Sequence, residues 1–310
     1  MPANHVRDRE PDLDPYRLKG LVLVVGAVLV LSPDVLIIRL IETDRWTLLW
    51  GRGLLMAIGL AAYLGLRYRG EAVARARAIG RAGVFAAALF TGSTMMFVSS
   101  ATLTTAANTL VILSAAPLFA AVFSRVFLKE LVPARTWIAV AVAVAAIALI
   151  FAGSIGGGTL VGDLCAVASA ACLAGYLVVL SHARAVSMIP ALALSGLMVA
   201  AIMAPVADPL GVTPRDMALL ALLGLLIMPI AFGQLTEGSR YLPPAEVSLI
   251  TLLEMVLAPF WVWLAIGEVP GLATVIGGAV LLATLIAHAI LGLRTTPPTA
   301  ARQGVEPDVR

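Results

Sequence analysis

Ten times in 310 residues the chain runs for about twenty positions with hardly a charge. The approximate spans are 18–38, 46–66, 79–99, 103–127, 134–152, 161–183, 187–207, 216–237, 243–265 and 270–292. Each is as long as a helix must be to cross about 30 Å of hydrocarbon. No water reaches a backbone group in that layer, so a span is either a helix or a strand of a closed barrel. Barrel strands alternate over about ten residues; these runs are continuous and about twice as long. Composition points the same way: 61% of the chain is apolar and 13% charged, where soluble proteins are about half apolar and a quarter charged. Mean hydropathy is +1.00. The expectation is an all-α membrane protein with ten transmembrane helices and lipid as its main solvent.

Lys and Arg set the orientation. With the N-terminus inside, the inner segments hold Arg7, Arg9, Arg17 and Lys19, then Arg67, Arg69, Arg75, Arg77 and Arg81, then Lys129, Arg135, Arg184, Arg240, Arg294, Arg302 and Arg310. The outer loops hold only Arg39, Arg45 and Arg215, while Arg52 and Arg125 fall within helices. That asymmetry predicts N-in and C-in, in the inner (plasma) membrane. Residues 1–17 are polar, carry Pro2, Pro11 and Pro15 and lack a cleavage pattern, so they are expected to form a cytoplasmic tail. Residues 293–310, with Pro297 and Pro298, form a second tail of disordered composition.

The stretch Ala106–Glu130 has an echo in Pro244–Glu268. Each is a long apolar run with a proline in its second half, Pro117 or Pro259, and each ends in Glu before another apolar run. A gapless shift of 138 residues pairs Glu130 with Glu268, Ala107 with Ala245, Ile112 with Ile250 and Ala120 with Ala258. Repeats are sought before any other assignment. Two units result, 18–152 and 161–292, of five spans each. An odd number of spans per unit inverts one against the other, the build of many secondary transporters. Gly156, Gly157 and Gly158 read as a linker between them. Small residues line the fifth span (Ala139, Ala143, Ala145) and the tenth (Gly277, Gly278, Ala283), which lets helices approach closely. The expected use is scaffold packing; a homodimer interface is the alternative to a monomer.

At these two stretches the chain resembles the EamA-type domain of the drug/metabolite transporter superfamily. The first unit shows Ser114, Pro117, Glu130 and Trp137; the second shows Glu254, Pro259, Gly267, Glu268 and Gly277-Gly278. The run AEVSLITLLE, Ala245 to Glu254, carries much of the likeness, and Ser32-Pro33-Asp34 with Trp50 and Arg52 fits a subgroup pattern. Met255 stands where the family often has Pro after the Glu, so any helix break is expected one turn on, at Pro259. The resemblance implies ten helices, a central cavity, alternating access, and export or uptake of small metabolites.

Candidate site residues follow from the cost of polarity in lipid. Glu254 lies near the middle of the ninth span, where a charge costs about 2.5–3.5 kcal/mol on insertion scales. It must face the interior, as a ligand for a substrate ammonium, as a proton carrier, or as a structural carboxyl bonded to a neighbouring helix. Asp34 and Arg52 lie at similar depths and are expected to pair, unless Arg52 reads a substrate carboxylate or phosphate with its planar fork. Ser32-Pro33 is expected to free backbone carbonyls toward a cavity. Asn108, Ser114, Thr251, Ser93, Thr94 and Ser248 are substrate contacts or interhelical hydrogen bonds. Trp261 roofs the cavity or joins an aromatic belt with Trp263, and Tyr176 is equally open. Glu130 and Glu268 suit helix ends, and Glu237, Arg240 and Glu246 an inner-face charge cluster. Cys165 and Cys172, seven apart on one helix and so about 10 Å apart, cannot form a disulfide.

No HExxH, GxSxG or phosphate-binding Gly-Lys motif occurs, so the chain reads as no enzyme and needs no cofactor or metal. Transport must run on gradients or exchange. The expected partners are a small polar substrate (an amino acid or related compound, exported), a coupling proton or cation, and the lipid bilayer, with no nucleic acid. A nucleotide-sugar or phosphometabolite exchanger is the second reading, disfavoured because only Arg52 and Arg125 lie in helices. A membrane-embedded enzyme is the third.

Overall fold

The computed structural model describes residues 15–127, 129, 133–154, 159–182, 189–239, 241–242, 247 and 250–295. Expectations about Glu130, the Gly156–Gly158 linker, Arg240, Glu246, Ser248 and the tails at 1–14 and 296–310 fall outside the described residues. Every regular element among the described residues is helical: α1 (Pro15–Leu31), α2 (Asp34–Leu40), α3 (Arg45–Tyr68), α4 (Ala72–Ala78), α5 (Gly80–Leu103), α6 (Ala106–Leu113), α7 (Ala116–Phe127), α8 (Ala134–Ser154), α9 (Leu160–His182), α10 (Ile189–Met203), α11 (Pro214–Ala221), α12 (Met228–Gly238), α13 (Leu253–Ile266) and α14 (Leu272–Thr295). Among the described residues, seven helical stretches are long and apolar enough to cross a membrane, and three shorter apolar helices, in α10, α13 and α14, accompany them. The chain is a multi-pass membrane protein.

Local chemistry explains the starts, stops and breaks. Asp44 caps α3 by accepting from the backbone N–H groups of Trp46 and Thr47. Thr105 caps α6 and Thr213 caps α11 in the same way, the latter followed by Pro214. Gly267, at φ 72°, ends α13 in the left-handed conformation that glycine adopts without steric cost. Pro33 separates α1 from α2 because it has no N–H for the carbonyl of Leu29. The Ser32 hydroxyl takes that carbonyl instead, at 3.0 Å. This corrects the expectation that Ser32-Pro33 frees a carbonyl for a cavity: the serine beside the proline satisfies it. Between α11 and α12 the helix widens to a π-turn, Leu222–Ile227, just before Pro229. Proline leaves the Leu225 carbonyl without its α-helical donor, and such bulges absorb the defect.

The packing joins the two halves throughout. α3 lies on α10, α5 on α9, α8 on α14, α1 on α12, and α6 on α13. If each helix is exchanged for its counterpart in the other half, this set of pairs maps onto itself. α3–α10, α8–α14 and α6–α13 are self-paired, while α5–α9 and α1–α12 change places. One apolar cluster, with Leu48, Leu60, Val98 and Leu220, surrounds α3 and α5; a second, with Ile112, Ile150 and Leu281, joins α6, α8 and α14. The small faces of the fifth and tenth spans meet here. A Cβ on Gly277 would lie 3.0 Å from the Ala146 carbonyl oxygen.

Candidate functional site

The two stretches that organise the sequence are both broken inside the membrane, at matching places. The fourth span stops as α6 at Leu113 and restarts as α7 at Ala116, through a turn at Ser114-Ala115. The ninth span is interrupted at Leu252, where the Met255 N–H reaches back only three residues to the Leu252 carbonyl. The shift of 138 that pairs Glu130 with Glu268 also pairs Ser114 with Leu252. The expectation of a break at Pro259 is therefore corrected. Pro259 lies within α13, and the break precedes Glu254 rather than following it. Neighbouring helices and local adjustments absorb a proline in a membrane helix.

These breaks border a cavity of about 300 Å³ at the meeting of the two halves. Ala116 and Pro117 at the start of α7, and Glu254 and Met255 at the start of α13, line it. Two helix N-termini thus converge on one space, each with its partial positive charge. Glu254 occupies the first turn of α13, where that charge favours a carboxylate. Its side chain is partly exposed, and it forms no ion pair among the described residues.

Opposite stand Asp34 and Arg52. Arg52 Nη2 donates to Asp34 Oδ2 at 2.9 Å, as their equal depths imply, and both residues are buried. The guanidinium also lies 5.5 Å from the Phe97 ring. Its Nε and Nη1, and Asp34 Oδ1, have no hydrogen-bond partner among the described residues. Buried donors of this kind are rarely left unmade, and a guanidinium fork matches a carboxylate with two parallel bonds. Sequence places Arg52 between Gly51 and Gly53. A Cβ on Gly53 would lie 2.8 Å from the Gly196 carbonyl oxygen, so α3 crosses α10 at close range and holds Arg52 in the interior. The wall also includes the polar Ser93, Thr94, Ser114 and Thr251, and the apolar Met56, Phe90, Phe97, Met228 and Phe232 with several leucines.

Of the eleven candidates named from sequence, Ser248 falls outside the described residues and seven line this cavity: Asp34, Arg52, Ser93, Thr94, Ser114, Thr251 and Glu254. Three stand elsewhere. Asn108 is buried near the N-terminal end of α6, where its amide donates to Asp163 at 3.0 Å and its carbonyl accepts from Thr274. Trp261 donates through Nε1 to the Ser32 hydroxyl at 2.9 Å, tying α13 to the α1–α2 break. Tyr176 packs behind Phe90, with ring centroids 5.1 Å apart. For Asn108 and Trp261 a neighbouring segment supplies the hydrogen-bond partner, and for Tyr176 a neighbouring helix supplies ring packing. The apolar wall escaped the sequence reading because Phe and Met on an apolar helix carry no distinguishing signal. Asp163 escaped it too, although a fully buried carboxylate beginning α9 is a visible anomaly.

A second polar layer lies toward the ends of α2, α5 and α13. Arg39 pairs with Glu268 at 3.3 Å and donates to the Thr104 carbonyl. Glu268 also accepts from the backbone N–H of Ala106 at 2.7 Å, so it caps α6, a helix of the other half. Thr104 donates to Asp163 at 2.6 Å. Arg215 pairs with Glu42 at 2.8 Å, and the Asp208 N–H donates to Thr47 at 2.8 Å. Apart from Arg39 to the Thr104 carbonyl, these links cross from one half to the other.

The family model of the EamA-like transporter family matches residues 18–152 and 160–289. No curated protein matches the chain. A solved structure described as "Crystal structure of protein" superposes with a TM-score of 0.64 at 17% identity, over 90% of this chain and 100% of its own. At that identity the likeness speaks for the fold.

Proposed function

Because the chain belongs to the EamA-like transporter family, we propose that it is a secondary-active transporter of the inner membrane that moves small amphoteric metabolites, amino acids or related compounds, by alternating access. The reading takes ten spans as an inverted repeat of five plus five, 18–152 and 161–292, with both termini and their tails, 1–17 and 293–310, in the cytoplasm. The self-mapping set of helix pairs supports that repeat. The observation that carries the function is the cavity between the halves, with one arginine at one side and a carboxylate at a helix N-terminus on another. Arg52 binds a substrate carboxylate through Nε and Nη1. Glu254 binds the substrate ammonium, or carries the coupling proton when the substrate has left. Phe90, Phe97 and Phe232 surround the carbon skeleton.

A phosphorylated substrate fits less well. One guanidinium faces two carboxylates in this cavity, an electrostatic balance that repels a doubly charged anion. Export is the direction taken in this reading, with the links among Arg39, Glu268, Thr104 and Asp163 at the outer end of the proposed orientation. The test is flux of candidate amino acids in proteoliposomes at two pH values. Glu254→Gln is expected to lower flux by about tenfold or more, the effect of losing one interaction of roughly 1.4 kcal/mol, or to remove its response to pH. Wild-type flux and wild-type pH response in that variant would show the carboxyl to be structural.

A further inference from the structure

A second hollow, of about 550 Å³, runs along the outside of the bundle between α3 and α12. One wall is Gly59, Ala62, Tyr63 and Leu66; the other includes Leu225, Pro229 and Gly233. It shares no residue with the central cavity. The hollow begins near the middle of α3, where Gly59 meets the π-turn, and descends to its C-terminal end. Gly59 and Tyr63 are four residues apart, and four further on is Arg67, so the three share one face of the helix. Arg67 does not itself line the hollow, but it continues this helix face one turn past Tyr63, toward the end of α3.

That guanidinium is not alone. Tyr68 carries two cations on its ring, Arg67 at 5.6 Å and Arg75 at 4.1 Å from the centroid. α4 folds back so that Arg75 can reach the ring, and Glu71 steadies it at 3.1 Å. Between residues 67 and 81 stand five arginines, Arg67, Arg69, Arg75, Arg77 and Arg81, against the single carboxylate Glu71. Glu237 also borders the groove, but its carboxylate accepts from Tyr241, whose hydroxyl accepts in turn from Lys19 at 3.2 Å. The positive-inside bias explains why arginines lie on this side. It does not explain why two are drawn onto one ring at the end of the helix that walls an apolar groove.

We propose that this face is a binding site for an anionic phospholipid of the inner leaflet, with an acyl chain in the groove between α3 and α12 and the phosphodiester on Arg67 and Arg75. The planar fork of arginine suits phosphate oxygens, and juxtamembrane clusters of this kind bind anionic headgroups. The site rests on the cytoplasmic placement of residues 67–81 and not on the identity of any transported substrate.

The test uses the purified full-length chain in detergent, titrated with phosphatidylglycerol, with phosphatidylcholine of the same acyl chains, and with inorganic phosphate. Lipid retention is read by native mass spectrometry and stabilisation by thermal unfolding. Phosphatidylglycerol is expected to bind and to raise the unfolding midpoint more than phosphatidylcholine does, and phosphate alone to do neither. The double variant R67Q/R75Q should weaken phosphatidylglycerol binding by about tenfold or more and leave phosphatidylcholine unaffected. Ala62→Trp, which fills the exposed groove without touching charge, should weaken both lipids. Equal binding of the two lipids, unchanged binding in R67Q/R75Q, or full stabilisation by phosphate alone would each overturn the proposal. Binding is measured without flux, so a failure of the transport reading leaves this result standing, and the reverse also holds.

Discussion

Arg52 is buried with five N–H donors and one protein carboxylate to receive them, and Asp34 is buried with one oxygen bonded and the other not. Removing either partner strands a charge in the bundle, which costs about 3–5 kcal/mol. Arg52→Gln and Asp34→Asn are each expected to destabilise by that amount. The double variant should lose less than the sum, with a coupling of about 0.5–3 kcal/mol, as contacting residues show. Thermal unfolding in detergent measures all four corners of the cycle. Additive losses would mean that the pair is not coupled in the folded protein. This pair was legible in the sequence because its depths matched, and Glu254 was legible because a carboxylate eleven residues from either end of a span cannot reach water. Asn108, Trp261 and Tyr176 were not, since a polar group on an apolar helix is satisfied by a neighbouring helix as readily as by a ligand. Which neighbour it meets is a fact of tertiary packing.

At the scale of the helix, the segments were legible from hydropathy, but their interruptions were not. Pro33 broke its span as proline should. Pro259 did not, and the break at Leu252 has no proline at all. Its position is intelligible only beside Ser114-Ala115, the matching break in the first half. The close approach of helices is a second feature that pattern alone leaves open. In α3, Gly53 and Gly65 look alike in sequence, yet a Cβ on Gly53 would crowd the Gly196 carbonyl oxygen at 2.8 Å and Val199 at 3.0 Å, while one on Gly65 meets nothing within 4 Å. Gly53→Val is therefore expected to cost about 1–3 kcal/mol by overpacking and to displace Arg52 from the cavity. Gly65→Ala should stabilise by about 0.5–1 kcal/mol, the gain expected of alanine over glycine within a helix. Unfolding midpoints of the two variants check the contrast, and the Gly53 variant should also lose any substrate-induced shift. If both behave alike, the crossing of α3 and α10 is looser than the geometry requires.

At the scale of the molecule, the polar links between the two halves among the described residues gather toward one end. Arg39 to Glu268, Glu268 to the Ala106 N–H, Thr104 to Asp163, Asn108 to Thr274, Arg215 to Glu42, and Thr47 to the Asp208 N–H lie at one end. Lys19 to Tyr241 lies at the other. In the proposed orientation the first group lies outside, where it would hold the outer end of the cavity closed. In the proposed alternating access, exchange to the opposite state would break those links together. The two ion pairs among them are partly solvated and worth about 0–1 kcal/mol each, while Thr104–Asp163 and Asn108–Thr274 are buried; one or two kcal/mol changes a two-state ratio by roughly 5–30-fold. The expected consequence is directional accessibility of the cavity. In a background without Cys165 and Cys172, a cysteine at Leu210 should react with an impermeant reagent from outside and one at Arg75 from inside. A cysteine at Thr94, on the cavity wall, should react mainly from inside. Adding Arg39→Gln and Glu268→Gln should shift the Thr94 cysteine toward labelling from outside by about fivefold or more, without changing the sidedness of Leu210 or Arg75. If Leu210 and Arg75 react from the same side, the ten-span orientation fails. If they hold and Thr94 stays protected from outside in the double variant, the Arg39–Glu268 link is a surface ion pair with no part in closing the outer end.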